Sequence, residues 1–269
     1  MVKGGAGLEA QLSSDVFGDI RNLFSPGSWL LTPGSPTIPC MNAWNITIPA
    51  VAGAGLLAWG AFHPRSQLFG TTVCKAGNAC ALTFDDGPSP SVTPRLLRLL
   101  DKYGVRATFF VLGKYVRANP GLLADIAAGG HVIGNHTDTH PNLVFSSRQE
   151  IMDELQRCED AIVGATGART IVVRPPFGFR GPQFHSAARR LGFSKIVMWS
   201  ISARDWKPQA SIQVTRRIQK IAPGDIVLFH DGDHRTSNAD RSHMLQALEF
   251  WLPRWKDSGL KFVSLEWRR

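Results

Sequence analysis

The sequence predicts an α/β protein with about seven strand-helix repeats, and three observations carry that expectation. Short apolar, β-prone runs recur from residue 80 onward, segments with amphipathic-helix spacing lie between them, and several of those segments stop at a glycine before the next run. Strand alternating with helix argues a parallel sheet with both faces covered. Periodicity alone leaves open whether the sheet closes into a barrel or stays open. The 269 residues, 43% hydrophobic and 19% charged, suffice for one large domain with an appendage and exclude a disordered or fibrous chain.

Residues 1–43 read as a poorly defined N-terminal extension without recognisable chemistry. No Asp, Glu, Lys or Arg occurs from Asn22 to Pro64. Within this stretch residues 44–62, WNITIPAVAGAGLLAWGAF, approach the ~20 apolar residues that a bilayer core requires. Trp44 and Trp59 would sit toward the ends as interfacial anchors, while Pro49 and the glycines weaken the helix. The expectation is a transmembrane or signal-anchor segment. Lys3 and Arg21 before it and Arg65 after it give a weak preference for a C-terminus outside the cytoplasm, in the cell envelope or exported. Met41 immediately precedes the apolar stretch. A start there would leave a short uncharged region and a signal anchor, an idea that residues found before Met41 in the native N-terminus would exclude. Residues 63–79 read as a linker and 80–269 as the main folded domain.

Within that domain the strand candidates are CALTF (80–84), ATFFVL (107–112), HVIG (131–134), TIVV (170–173), KIVMWS (195–200), DIVLFH (225–230) and KFVSL (261–265). Helical spacing appears at residues 91–104, 146–167, 211–222 and 241–259. Gly104, Gly130, Gly192 and Gly259 are the helix stops.

The net charge of +9 would suit an anionic partner, yet Lys and Arg are scattered and no zinc-finger, RNP-like or Walker pattern accompanies them. The charge reads as a solvated basic surface, and no nucleic-acid partner is expected. Four cysteines, Cys40, Cys74, Cys80 and Cys158, are too few and too dispersed for a disulfide scaffold or a paired structural zinc site. Cys74 and Cys80 flank a short turn and would either bridge in an exported protein or remain free thiols.

The polar residues that fit neither core nor turn fall after the strand candidates. Asp85 and Asp86 follow the first, NHTDTH (135–140) the third, RPPFG (174–178) the fourth, SARDW (202–206) the fifth, and His230 ends the sixth. In parallel α/β folds the carboxyl ends of the strands share one face, where active sites are built. Each residue alone has a plain alternative: Asp85 and Asp86 a turn, His136 and His140 surface histidines, Arg174 a surface cation, Asp205 a helix cap, Trp206 core, and His230 a satisfied core histidine. Together they supply a chemistry. Two imidazoles and one carboxylate are a ligand set for a catalytic zinc with an open position. One aspartate of the pair would be held ionised by the cation while its neighbour handles a proton. Arg174 would fix that base by a bidentate ion pair, and His230, steadied by Asp205, would be a general acid for a leaving amine.

These segments resemble the five motifs of the polysaccharide deacetylases of the NodB-homology class, carbohydrate esterase family four. TFDDGP (83–88), HTDTH (136–140), RPPFG (174–178), RDW (204–206) and LFH (228–230) stand in the family's order across most of residues 80–267. The resemblance implies a distorted (β/α) barrel with fewer than eight repeats and a divalent metal, zinc first, with cobalt, nickel or manganese able to accept such ligands. It implies Asp85 as catalytic base, Asp86, His136 and His140 as metal ligands, Arg174 as the residue orienting Asp85, and His230 as the acid tuned by Asp205. Leu228 and Trp206 would shape the slot for the acetyl methyl, and the Phe177 N–H would help bind the oxyanion. Ser202 stands where the fourth motif often begins with Asp, and Phe177 where Tyr is common. After His230 a polar loop, DGDHRTSNADR, would contact substrate; its Asp231, Asp233 and His234 would either feed the site or sit in solvent, and solvent is the expectation.

The implied activity is removal of N-acetyl groups from an N-acetylglucosamine-containing glycan, chitooligosaccharide or peptidoglycan, with release of acetate. Two alternatives stand beside it: an O-acetyl esterase on a plant polysaccharide such as acetylxylan, and an inactive carbohydrate-binding or envelope scaffold. Oligomeric state is open.

Overall fold

The computed structural model describes residues 43–265, with side chains from residue 50 onward; of the expected extension over residues 1–43, all but Ala43, the first residue of a helix, lies outside the described residues. Seven strands form: β1 (Ala81–Gly87), β2 (Thr108–Val111), β3 (Val132–Asn135), β4 (Val172–Val173), β5 (Lys195–Ile196), β6 (Ile201–Ser202) and β7 (Ile226–His230). All pairings are parallel, in the order β5-β4-β3-β2-β1-β7-β6, and the sheet curls into a half-barrel with helices around it. This is the distorted (β/α) barrel that the sequence predicts. The helices are α1 (Ala43–Phe62), α2 (Thr93–Lys102), α3 (Gly113–Ala118), α4 (Pro120–Ala128), α5 (Arg148–Thr166), α6 (Pro182–Arg190), α7 (Ser211–Ile218) and α8 (Ser242–Asp257).

Local chemistry explains the element ends. Ser147 and Glu150 close a capping box at the start of α5, and Gly167 ends it in the left-handed region at φ 71°. The four glycines expected to stop helices all have positive φ, between 60° and 90°. Period-2 alternation sorts β1: Leu82 and Phe84 face the helices, while Ala81 joins Phe110, Val172, Val197 and Ile226 inside the half-barrel. Phe84 pairs in register with Phe109 on one side and Phe229 on the other, the rings stacking at 5.2 and 5.5 Å. Burying each ring contributes about 2–3 kcal/mol, and each aromatic pair about 1 kcal/mol more.

Two strand expectations are corrected. KIVMWS is not one strand. Its first residues pair with β4 as β5, residues 197–200 link the two edges of the sheet with Val197 bridging Val73, and Ile201–Ser202 pair with β7 as β6. The two sheet edges are therefore consecutive in the chain. KFVSL is not a strand either, because β1 is flanked on both sides by β2 and β7. Residues 261–265 find a free backbone only at Cys80, where they make a single bridge at Phe262.

The described side chains of α1 from Ala50 to Trp59 are exposed, Val51, Leu56, Leu57 and Trp59 among them. The C-terminal end of α1 is packed. Phe62 meets the Phe179 ring edge-on at 4.8 Å, and the buried Arg180 guanidinium donates to the carbonyls of His63 and Ser66. Among the described residues no helix is long and apolar enough to cross a membrane. Cys74, Cys80 and Cys158 are free thiols, and burial pushes Cys80 up to about 12, which makes it unreactive.

Candidate active site

Strict alternation along β1 would put Asp85 inside the half-barrel and Asp86 on the opposite face. A register shift between Asp85 and Gly87 removes Asp86 from the ladder with β2, and φ of 69° turns its backbone. Both carboxylates thereby reach one cavity, buried to 3% and 5% exposure. Gly232 makes the turn feasible, since a Cβ there would stand 2.0 Å from the Asp86 carbonyl.

Asp85 is held by Arg174, whose Nη1 donates to Oδ1 at 2.6 Å and to the Thr83 hydroxyl at 2.9 Å. The remaining guanidinium donors go to the carbonyls of Val197 and Met198 at 3.2 and 3.1 Å, and the plane lies over Phe110. The expected bidentate pair is thus a single contact, because the linking segment 197–200 takes the other donors. Arg174 is fully buried, and every nitrogen has a partner.

Beyond β3 the chain turns through positive φ at Thr137 and His140, 73° and 67°. The Asn135 carboxamide accepts from Thr137 N–H, and the Thr137 hydroxyl accepts from His140 N–H. Glu154, from α5, accepts from the N–H groups of Asp138 and Thr139. These bonds bring His136 Nε2 to 3.7 Å and His140 Nε2 to 3.3 Å from Asp86 Oδ1. His136 Nδ1 donates to the Arg174 carbonyl at 2.7 Å, which leaves Nε2 free as a ligand atom.

The three ligand atoms lie within 4.8 Å of one another, and Asp86 Oδ1 is buried without a hydrogen-bond partner. A buried carboxylate oxygen facing two imidazole nitrogens fits a divalent cation. Burial works to raise the Asp86 carboxyl, but His234, His140, His230 and His136 outweigh it and hold Asp86 well below the ordinary carboxylate range. Burial also pushes His140 down to about 3 against the pull of Asp86, so its ring is neutral at pH 7.

On β7, His230 faces the cavity beside Asp85, its partner in register. The fully buried Asp205 accepts from the His230 N–H at 2.9 Å and pairs with its Nδ1 at 2.8 Å. Burial lowers His230, yet Asp205 dominates and carries it up to about 9, so the ring is protonated at neutral pH. His243 of α8 fixes the Asp205 carbonyl through Nε2 at 2.9 Å. Leu228 is buried two residues before His230, and the partly exposed Trp206 ring meets His230 edge-on at 5.7 Å. Phe177, at φ 59°, sets its ring against His140 at 4.5 Å.

The polar loop departs from its expected solvent placement. Asp231 is fully buried, bonded to the Thr93 hydroxyl at 2.5 Å, and burial raises it to about 7 despite that bond. Asp233 binds Arg241, and His234 stacks on His140 at 4.4 Å. The sequence named these residues but expected them in solvent, because only their proximity to His230 in the chain pointed to the site.

A family model described as polysaccharide deacetylase matches residues 72–196. Over 193 residues the chain is 38% identical to the peptidoglycan-N-acetylglucosamine deacetylase of Listeria monocytogenes, covering 71% of this chain but only 39% of that protein. It is 34% identical over 191 residues to the chitooligosaccharide deacetylase of Sinorhizobium fredii, covering 68% of this chain and 88% of that one. Among solved structures, a peptidoglycan N-acetylglucosamine deacetylase superposes with a TM-score of 0.65 at 32% identity, over 72% of this chain and 90% of that one. A pseudoenzyme of carbohydrate esterase family four from Bacillus anthracis superposes at 0.64 and 29%, over 72% and 67%. The five motif segments lie in and around one cavity, and the Sinorhizobium fredii relative and the solved deacetylase match along most of their own length, so the chain belongs to the polysaccharide deacetylases of carbohydrate esterase family four.

Proposed function

We propose that the chain hydrolyses the acetamide of N-acetylglucosamine units in a glycan, peptidoglycan or chitooligosaccharide, releasing acetate and a free amino sugar. The observation that carries this reading is the pairing of a carboxylate and an imidazolium across one cavity, Asp85 pinned by Arg174 and His230 pinned by Asp205, with the Asp86, His136 and His140 cluster beside them. A divalent cation held by Asp86, His136 and His140, zinc first and cobalt, nickel or manganese next, supplies Lewis acidity toward the amide carbonyl and the attacking water.

The rest falls to the protein's own groups. Arg174 occupies Asp85 Oδ1, so Oδ2 is the atom that takes the proton from water as it attacks the carbonyl carbon. The Phe177 backbone N–H donates to the developing oxyanion. His230, already protonated, gives its proton to the leaving nitrogen as the carbon-nitrogen bond breaks, and Asp205 stabilises the imidazolium beforehand. Leu228 and Trp206 receive the acetyl methyl.

The reading is tested with the full chain, stripped of metal and reloaded with zinc, on an N-acetylglucosamine pentamer and on peptidoglycan. Zinc-dependent acetate release by the wild type, and at least about 10³-fold less from Asp85→Asn, is expected. A folded, zinc-loaded protein that releases acetate only from acetylxylan would move the assignment to an O-acetyl esterase. No acetate from any of the three would favour the scaffold reading, which the pseudoenzyme relative keeps in view.

The exposed apolar side chains of α1 support attachment to a membrane, with the catalytic domain working in the cell envelope outside the cytoplasm.

A further inference from the structure

The two oxygens of Asp86 have separate surroundings. Oδ1 faces His136 and His140 and has no hydrogen-bond partner, which makes it the oxygen offered to a cation. Oδ2 turns toward a residue outside the five motifs, His234, whose Nδ1 stands 3.9 Å away, within charge-pairing range. The His234 ring lies 4.4 Å from the His140 ring at 19°, a stacked pair, and meets Phe177 edge-on at 5.6 Å.

The loop that carries His234 is fastened from two helices. Lys114 Nζ, on α3, donates to the His234 carbonyl at 2.6 Å, and the neighbouring Tyr115 hydroxyl donates to the Asp233 carbonyl at 2.8 Å. Arg241, at the start of α8, donates to the Gly232 carbonyl at 3.1 and 2.8 Å and to the Asp233 carboxylate at 3.1 Å. Three side chains thus fix the backbone of Gly232, Asp233 and His234, a degree of support that a loop merely passing the site would not need.

We propose that His234 is a fourth side chain of the metal centre, a positioning residue that acts through Asp86 and His140. Its Nδ1 faces Asp86 Oδ2 at 3.9 Å, beyond direct hydrogen-bond distance, a polar contact that biases the rotation of the carboxylate and leaves Oδ1 for the cation. Its ring braces His140 through the stacked contact. The proposal rests on Asp86, His136 and His140 being the metal ligands. Outer partners of this kind orient ligands before the cation arrives, so their removal lowers affinity without removing a ligand.

Zinc affinity decides it, measured on the full chain by competition with a chromophoric chelator for wild type, His234→Ala, His234→Asn and Lys114→Met. His234→Ala weakens zinc binding about 10–100-fold. His234→Asn, which keeps an N–H near the Nδ1 position, recovers part of the loss, and Lys114→Met, which loosens the loop from a distance, loses a few-fold. The metal-free melting temperatures of all four coincide, and the cobalt-loaded absorption spectrum changes in His234→Ala. Unchanged zinc affinity in His234→Ala beside a zinc-binding wild type would overturn the proposal. So would an affinity loss that tracks a lowered metal-free melting temperature and is not rescued by Asn. A wild type that binds no zinc would overturn the metal-site reading itself, and this inference with it.

Discussion

At His230 two effects oppose each other: burial favours the neutral ring, and the Asp205 carboxylate, 2.8 Å from Nδ1, favours the imidazolium. The pair wins, at about 9. Because the folded value is raised above the ordinary 6.5, the pair's contribution to stability is fully present below that pH and is lost as pH rises through about 9. Replacing Asp205 with Asn removes the largest effect opposing burial. The His230 pKa, read by NMR, then falls from about 9, because only the weaker pull of Asp86 and Asp85 still opposes burial, and the alkaline limb of the pH-rate profile moves down with it. An alkaline limb that stays in place would show that another group is the acid. Arg174 makes the same argument for a cation. Arg174→Ala strands a buried Asp85 and takes the donors from the Val197 and Met198 carbonyls, at a cost of about 3–5 kcal/mol in urea denaturation. A loss under 1 kcal/mol would mean that water replaces the guanidinium.

At the scale of elements, the site depends on how closely the ends of β1 and β7 approach. A Cβ on Gly232 would stand 2.0 Å from the Asp86 carbonyl and 2.9 Å from Gly87 N, so Gly232→Ala forces these ends apart. The displacement reaches Asp86 first. Activity should fall about 10²-fold, since shifts near 1 Å carry that cost, while the far end of the sheet holds its register. Acetate assay beside a melting curve checks it; full activity in the variant would show that the backbone relaxes at no cost. The strand and helix list was largely legible in the residues, because alternation, capping boxes and glycine stops act over a few residues. KIVMWS was misread for lack of knowledge of its neighbours. Apolar content says that a stretch is buried, not which edge it pairs with, and β4 and β7 divide these residues between them.

For the whole molecule, α1 sets an exposed apolar surface on the α/β domain, to which its last turn is bonded where the Arg180 N–H donates to the Ala61 carbonyl at 3.1 Å. If that surface meets lipid, Leu56→Asp with Leu57→Asp moves the protein from the membrane fraction to the soluble fraction without changing acetate release from a soluble oligosaccharide. Retention of the double variant in the membrane fraction would assign the attachment elsewhere. The five motif segments come from distant parts of the chain, yet a parallel sheet places all its strand ends on one face, so their convergence followed once the strands were identified.

The sequence by itself determined the α/β class, the places where helices stop and the residue types that could perform a metal-assisted deacetylation. These rest on short-range sterics and on the chemistry of side chains. Tertiary structure alone decided that a bulge swings Asp86 into the cavity beside Asp85, and that Arg174 spends its donors on the linking segment. It also decided that His234 leaves solvent to stack on His140, and that residues 261–265 find no free strand edge. Each of these depends on what the rest of the fold has already occupied, information that no local stretch of residues contains.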